Sequence, residues 1–289
     1  MKTHVYLLLS AGLLGACQRA TDTETPAATA PVTAVTNTVA DARLAAPEPA
    51  APALPAEQLA VLQQFDLAPL LLPASYEDEE GARSAGQAMN GFFGSDHYRI
   101  EFVFTRVERD ARNPALYHIS GKDRYKKRVS PLEGTIELTQ LQPMKPLEGS
   151  PNGELTAAYA ATGQFELREG PEGNGSGVFR GKFALDFGRG TEQKPELATW
   201  GFTEESMAAR RAGSRFEGQW TSNQTRKTKP VLWADGNGLF AIAQDVFADF
   251  NVGERGPEIN EKYAKLGWNT YWENDEWWAE SPKTATVSL

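Results

Sequence analysis

In the segment Phe179-Arg-Gly-Lys-Phe-Ala-Leu-Asp-Phe187, every odd position is a large apolar residue or a glycine. The polar residues Arg180, Lys182 and Asp186 occupy even positions. A period of two is typical of a β-strand that buries one face, because successive side chains point to opposite sides. This stretch therefore predicts a half-buried strand, with Gly181 on its buried face.

A glycine on the buried face recurs along the chain. Comparable alternation surrounds further glycines in the segments 117–121, 132–138, 159–167 and 216–220. Glycine weakens a strand interior through entropy and missing contact area, so its repeated use needs a cause. A missing Cβ relieves crowding where strands bend strongly, and it also leaves room for a large side chain from elsewhere. Both explanations favour a coiled sheet over a flat one.

Strand-like segments follow one another along the chain, separated by turn signals such as Asn113-Pro114 and Ser130-Pro131. Short connections favour antiparallel neighbours. We therefore predict a mainly β fold of about eight antiparallel strands. Eight strands can close a barrel that is filled by side chains or holds one small ligand, and in strand number the arrangement resembles the lipocalin-type (calycin-like) barrels. The alternative is a two-sheet β-sandwich, which the same alternation would permit.

A few short helices are expected beside the strands. Pro55 to Phe65 places apolar residues near one face after a proline suited to a first turn, and Asn260 to Leu266 ends at a glycine. Two further helices are predicted, from Thr203 to before Gly213 and from Leu239 to Phe250. The predicted strands are 97–108, 115–122, 132–141, 157–169, 177–187, 197–202, 214–221 and 229–234.

The first residues have the form of a secretory signal. Lys2 supplies a positive charge, and the apolar run that follows is too short to span a bilayer. The run ends in Leu14-Gly-Ala-Cys17, which resembles the lipobox of bacterial lipoproteins. This resemblance implies that residues 1–16 are removed as a signal peptide, that Cys17 carries the lipid, and that Gln18 directs the protein to the outer membrane, on either of its faces. The alternative is an ordinary signal peptide that contains a cysteine.

Composition divides the rest of the chain into two parts. Residues 17–54 are dominated by Ala, Thr, Pro and Val, and such a segment cannot bury enough surface to offset the entropy of ordering. We interpret them as a lipidated N terminus followed by a disordered linker. Residues 55–289 suit one β-barrel-like domain with a Trp-rich C-terminal segment. Cys17 is the only cysteine, so the domain depends on its core and not on disulfides.

The formal net charge of −9 argues against nucleic acid as a partner. Two basic clusters, residues 122–128 and 226–229, depart from that average. Each cluster lies between predicted strands, which favours a solvated hairpin end. The alternative is a contact for anionic headgroups or polysaccharide.

A catalytic set is not evident. His97 and His118 are each alone in strand-like runs, no second cysteine is available for a thiolate zinc site, and neither a G-x-S-x-G nor a Walker-type loop occurs. We therefore predict no catalytic residue, no metal and no cofactor. Two distant carboxylates could still converge in a cleft, as glycan hydrolysis requires. Asp186 lies deep in a strand, and its even position predicts that it points away from the buried face.

The tail is unusual because four of the seven tryptophans fall within eleven residues, mixed with Asn, Asp and Glu. Aromatic rings beside amide and carboxylate acceptors are suited to sugar rings. The candidate ligand-binding residues are therefore Trp268, Trp272, Trp277 and Trp278. The competing interpretation is that the tail wraps the barrel and buries its rings, since clustered tryptophans are seldom exposed on a soluble body.

The segments Gly121 to Lys127, Glu133 to Thr135 and Asp275 to Trp278 resemble segments of uncharacterised exported lipoproteins of Gram-negative bacteria. This resemblance implies a location and no activity. We expect a lipid-anchored cell-envelope protein that acts as a non-catalytic binding or structural module. Its expected partners are a membrane, through the N-terminal lipid, and a glycan or a small apolar ligand. The alternative is an envelope glycan hydrolase or a carbohydrate-binding protein.

Overall fold

The computed structural model describes the greater part of the chain beyond residue 53. The predicted signal peptide, Cys17 and the predicted linker as far as residue 53 lie outside the described residues, whereas Leu54, the last residue assigned to the linker, is buried in the core. Residues 199–202 and 203–207, which belong to a predicted strand and a predicted helix, also lie outside the described residues. The described residues are 54–73, 75–77, 83–148, 155–170, 175–190, 194–198, 208–235, 238–247 and 261–279.

Strands dominate the described residues, and the helices are short. The helices are α1 (Ala56–Gln64), α2 (Ala68–Leu71), α3 (Gly238–Ile242) and α4 (Glu261–Ala264), with a 3-10 turn at Trp268–Thr270. None of the described helices is long and apolar enough to cross a membrane. The strands are β1 (Ser75–Glu77), β2 (Arg83–Ala85), β3 (Met89–Phe93), β4 (Tyr98–Arg109), β5 (Leu116–Tyr125), β6 (Arg128–Met144), β7 (Ala157–Glu169), β8 (Gly177–Arg189), β9 (Pro195–Leu197), β10 (Ser214–Ser222) and β11 (Thr228–Ala234).

Eight of these strands form a closed ring. β3 to β8 pair in chain order, β10 pairs with both β8 and β11, and β11 returns to pair with β3. All of these pairs are antiparallel. Closure leaves the ring without a free edge, which is the main structural advantage of a barrel. The predicted barrel is therefore confirmed, and the two-sheet sandwich is wrong.

The membership of the ring differs from the prediction at one strand. The segment predicted at 197–202 contributes only the short β9, which pairs with β8 outside the ring. Its place is taken by β3, Met89–Phe93, which the sequence pattern did not reveal. All five residues of β3 are buried, because one face meets the barrel interior and the other is covered by the C-terminal tail. A strand buried on both faces shows no alternation and is missed by a period-two search.

The inward glycines permit close approach of neighbouring strands. Gly181 lies directly opposite Gly218, and a Cβ added to Gly181 would stand 2.1 Å from the carbonyl oxygen of Glu217. At Gly134 and Gly163 the corresponding distances to backbone oxygens are 1.9 and 2.0 Å. No side chain could be tolerated at such distances. The neighbours at these three positions are backbone atoms, which supports tight strand coiling and not the filling of gaps by large side chains.

Aromatic rings fill the centre of the barrel. Trp233 is fully buried and stacks on Phe102 and Phe216, with ring centroids 4.1 and 4.6 Å apart. The end at which β4 and β8 finish is covered by α1 and the segment after it. There Phe65 packs on Phe187, and Arg109 donates hydrogen bonds to the carbonyl oxygens of Leu62 and Phe65. The predicted helix at 55–65 therefore helps to close this end of the barrel.

The other predicted helices are only partly formed in the described residues. Residues 208–211, at the end of the helix predicted from Thr203, form a turn. Of the helix predicted from Leu239 to Phe250, the described part keeps a helical conformation as far as Ile242 and then turns. The helix predicted at 260–266 contains α4 and ends at Gly267, whose φ of 87° is left-handed as expected for a helix-ending glycine.

Candidate ligand-binding site at the mouth of the barrel

The turns after β3, β5, β7 and β10 lie at one end of the barrel, because strand direction alternates around the ring. We call this end the mouth. The opposite end is the one covered by α1. The two basic clusters identified in the sequence contribute to two of the mouth turns, after β5 and after β10.

A pocket of about 250 Å³ opens within the mouth. Its walls are mainly aromatic, and its polar residues include two carboxylates, Asp123 and Glu169. A cavity of this size with apolar walls and a few polar groups is typical of small-molecule sites. The aromatic wall residues are Phe93, Tyr125, Phe179 and Trp220.

Strand parity directs Asp123 into the barrel. Tyr117 and Ile119 occupy the inward positions earlier in β5, and Asp123 continues the same face as a residue only 1 % exposed. Its Oδ1 atom has no hydrogen-bond partner among the described residues. A buried polar atom without a partner is costly, so the unpartnered oxygen of a residue that lines a pocket is a candidate acceptor for a ligand. Sequence analysis missed Asp123, although the parity that starts at Tyr117 contains the signal.

Glu169 lies at the end of β7, close enough for its charge to act on Asp123. The indole Nε1–H of Trp220 donates to Glu169 Oε2 at 2.6 Å. Burial raises the pKa of Glu169, and the hydrogen bond from Trp220 opposes that shift. Burial, reinforced by the nearby charge of Glu169, holds the pKa of Asp123 well above its usual range, while Arg128 opposes the shift. Asp123 therefore keeps its proton to higher pH than an exposed aspartate, and can both donate and accept.

The tail carries the four tryptophans along the outer face of the barrel. Trp268 is fully buried, donates its Nε1–H to the carbonyl oxygen of His97 at 3.0 Å, and packs on Phe92 and Phe247. Trp277 is buried against the outer side of β4, whereas Trp272 and Trp278 are half-buried. Because the Trp268 ring is fully buried, a sugar bound on the tail could contact only Trp272, Trp277 and Trp278.

A buried charge network fastens the tail to β4 and β5. Arg99 and Arg124 both bind Glu101, and Arg124 Nη1 contacts Asp275 Oδ2 at 2.5 Å. The Arg124 guanidinium also lies 5.0 Å from the ring centre of Trp277. Removing Glu101 would leave the Arg99 and Arg124 guanidinium groups without the carboxylate that they share, which is destabilising at a buried position. The tail is thus held as part of the fold by both charges and aromatic packing.

A second, wider cavity of about 1000 Å³ lies between the tail and the β4–β5 strands. Trp277 lines it, together with Arg124 and Asp275. Trp277 Nε1 and Asp275 Oδ1 are buried and have no hydrogen-bond partner among the described residues. The sugar-binding role of the tail tryptophans stays a prediction, with Trp277 as its best-placed member.

The remaining sequence candidates have structural partners. Asp186 lies on the face opposite Leu185 and Phe187, yet it is fully buried, because the backbone N–H groups of Ala208 and Ala209 donate to its two oxygens at 3.0 and 2.8 Å. Burial raises the pKa of Asp186 to about 7. The carboxylate therefore anchors the turn at 208–211 to β8.

The two histidines are separate from each other and from the mouth carboxylates. His97 lies in the turn before β4 and not in a strand, with a left-handed φ of 57°, and its ring packs on Phe92. His118 is exposed and contacts Asp110, with 3.1 Å between Nε2 and Oδ2. Among the described residues, no three His, Cys, Asp or Glu side chains converge in a way that could hold a metal ion.

Comparison of the chain with protein-family models, curated proteins and solved structures finds no significant match. The fold and the site define a closed eight-stranded barrel with an aromatic pocket that two carboxylate residues help to line. Its function has to be inferred from those residues.

Proposed function

We propose that this chain is a lipid-anchored cell-envelope protein whose barrel binds a small ligand in the mouth pocket. The observation that carries the proposal is that Asp123 and Glu169 both line a pocket of about 250 Å³ whose walls are mainly aromatic. Cys17 supplies the anchor, as the lipobox resemblance implies, and the linker of residues 18–54 connects it to the barrel.

The chemistry of the pocket favours a single sugar unit or a molecule of similar size with hydroxyl groups and an apolar face. Aromatic rings such as Trp220 and Tyr125 offer flat surfaces for the apolar side of such a ring. Asp123 and Glu169 offer oxygens to its hydroxyl groups, and Asp123 Oδ1 has unused hydrogen-bonding capacity. The interior beyond the pocket is filled by the Trp233 stack, so an extended apolar chain would find no space along the barrel axis.

The pocket is tested by Asp123→Asn and Glu169→Gln, measured by calorimetric titration with the methyl glycosides of glucose, galactose and N-acetylglucosamine. We expect at least one glycoside to bind the wild type and each substitution to weaken it about tenfold or more, because the amide presents an N–H2 group in place of one of the two carboxyl oxygens that can accept from a sugar hydroxyl. Asp123→Asn should melt no lower than the wild type, since it replaces a buried carboxyl by a neutral amide of equal size.

The matched control is Glu133→Gln, an exposed carboxylate on the outer face of β6. It should leave both binding and melting unchanged. Binding that is insensitive to both Asp123→Asn and Glu169→Gln, or no binding of any glycoside by the wild type, would contradict the proposed site.

Glycan hydrolysis is a second candidate, favoured by the same pair of carboxyl groups. Glycosidases use one protonated and one ionised carboxyl, and burial raises the pKa of both groups here. Turnover of 4-nitrophenyl glycosides by the wild type, abolished by Asp123→Asn while glycoside binding survives, would favour hydrolysis over simple binding.

The anchor is tested separately by Cys17→Ser expressed in a Gram-negative host. The wild type should sediment with the outer-membrane fraction, because two or three acyl chains on a cysteine give stable attachment. The serine variant has no thiol to acylate and should be released or remain unprocessed, as judged by fractionation and gel mobility. Unchanged membrane association and mobility of the variant would rule out Cys17 as the attachment point.

A further inference from the structure

The mouth carries a group of exposed basic side chains beside the pocket, in or next to the turns after β5 and β10, which we call the mouth ring. Asp96 is the one exposed acidic residue in the described part of the four mouth turns. The chain as a whole has a net charge of −9, so the mouth is opposite in sign to the average surface. The basic residues of this mouth ring are Lys126, Lys127, Arg128, Arg226, Lys227 and Lys229.

The ring is held in position by the aromatic residues of the mouth. The Lys126 ammonium lies 4.6 Å from the ring centre of Tyr98, and the Lys229 ammonium lies 4.9 Å from that of Phe93. Both ammonium groups also approach Tyr125, at 5.3 and 5.9 Å. Cations from two different hairpins thus gather above the same aromatic wall.

The turn between β5 and β6 is built from residues that are unfavourable there. Tyr125 pairs with Arg128, so the turn has two residues, and both Lys126 and Lys127 are left-handed with φ of 50° and 67°. Asn-Gly is the preferred pair for such a turn, because side chains with a bulky Cβ are strained at positive φ. Two adjacent lysines also repel each other. The two lysines therefore cost stability relative to Asn-Gly, which makes the turn a site where charge can be removed without destabilising the fold.

Val129 adds an apolar element directly beside these cations. At 43 % exposure, it is the only large hydrophobic residue that is exposed in the described part of the chain. An aliphatic side chain flanked by lysine and arginine suits a bilayer interface, which accepts the apolar group while the long basic side chains reach the headgroups. A hydrated polysaccharide offers no comparable environment for the valine.

We propose that the mouth ring docks the barrel, mouth first, onto an anionic phospholipid surface. Charge complementarity orients the molecule, because the basic end is attracted and the acidic remainder is repelled. The pocket then opens towards the membrane surface. This inference goes beyond the proposed ligand site and is tested separately from it, since Lys126 and Lys127 are not among the residues that line the pocket.

The test uses the chain from Gln18, which lacks Cys17 and retains the whole compact unit Pro49–Leu289. Co-sedimentation is measured with vesicles of phosphatidylcholine alone and with vesicles containing about one third phosphatidylglycerol, a composition that gives a negative surface potential. We expect binding to the anionic vesicles alone, lost when salt is raised to about 0.5 M because screening shortens the range of the attraction.

The decisive variant is Lys126→Asn with Lys127→Gly. It should weaken vesicle binding about tenfold or more, since each basic residue near an anionic surface contributes roughly one kilocalorie per mole. Its melting temperature should be equal to or above that of the wild type, because Asn-Gly relieves the strained turn. Loss of binding could then not be attributed to unfolding.

The matched control is Arg210→Asn with Arg211→Gly. These two consecutive cations are also left-handed, with φ of 54° and 69°, but they precede β10 at the end of the barrel opposite the mouth. The control should bind vesicles like the wild type. The proposal would be overturned if the wild type bound neutral and anionic vesicles equally, if it bound neither, or if both double variants lost binding equally. Retention of the wild type on an anionic polysaccharide and not on vesicles would instead assign the mouth ring to polysaccharide binding. None of these results alters the glycoside titrations, so the two proposals fail separately.

Discussion

Gly181→Val is expected to lower the free energy of unfolding by about 3 kcal/mol, at the upper end of the range for overpacked sites. A Cβ at this position would lie 2.1 Å from the carbonyl oxygen of Glu217 and 2.6 Å from the Cα of Gly218. Both obstacles are backbone atoms, so no side-chain rotation can relieve the clash and β8 must move away from β10. This pairing closes the ring, and its disruption would open the barrel.

The measurement is thermal melting, in which this loss corresponds to about 6 to 12 °C for a domain of this size. Lys182→Val is the matched control, because it places the same side chain on the exposed outer face one residue further along β8. The control should melt within a few degrees of the wild type. Equal melting of Gly181→Val and Lys182→Val would mean that the close approach at Gly218 does not exist.

Trp268→Ala is expected to cost about 3 to 5 kcal/mol, the range for deleting a large buried aromatic residue. The indole is fully buried between Phe92 and Phe247, and its Nε1–H is bonded to His97. Truncation would leave a cavity, deprive the His97 carbonyl oxygen of its donor and loosen the tail from β3. The loss should be seen in melting with or without a glycoside present.

Trp278→Ala provides the comparison within the same tail. Its ring is half-buried and packs on Trp277, so less surface is lost and a smaller decrease in melting temperature is expected. A sugar platform predicts the reverse, with nearly wild-type melting for the tail variants and lost retention on envelope polysaccharide. Wild-type melting of Trp268→Ala would refute the structural role of the tail.

Strand positions were predictable where one face of the strand is exposed to solvent and the other face is buried. The alternation around Gly181 placed β8 to within two residues, and similar patterns placed β4, β5, β7, β10 and β11. β3 was missed because the tail covers its outer face, and the burial of Asp186 was missed because the turn at 208–211 covers it. In both cases a distant segment covers a face that the local pattern marks as exposed.

The mouth pocket was not predictable as a site. Asp123 and Glu169 are 46 positions apart in the sequence, and Phe93 and Trp220 belong to hairpins at opposite ends of the domain sequence. Their convergence depends on the alternating direction of eight strands and on closure between β8 and β10. The prediction that tail tryptophans bind ligand arose because composition cannot distinguish a ring that is buried, as Trp268 is, from one that faces solvent.

The strand period, the inward glycines and hence a coiled sheet follow from local sequence alone, because each depends on interactions between neighbours along one chain segment. Long-range contacts set which strands close the ring, which carboxylates share a pocket, and that two separate basic clusters lie at the same end of the barrel. Those outcomes depend on contacts between residues far apart in sequence, for which loop-closure entropy is repaid only by burial in the assembled barrel. A local sequence pattern contains no information about the balance between loop-closure entropy and burial.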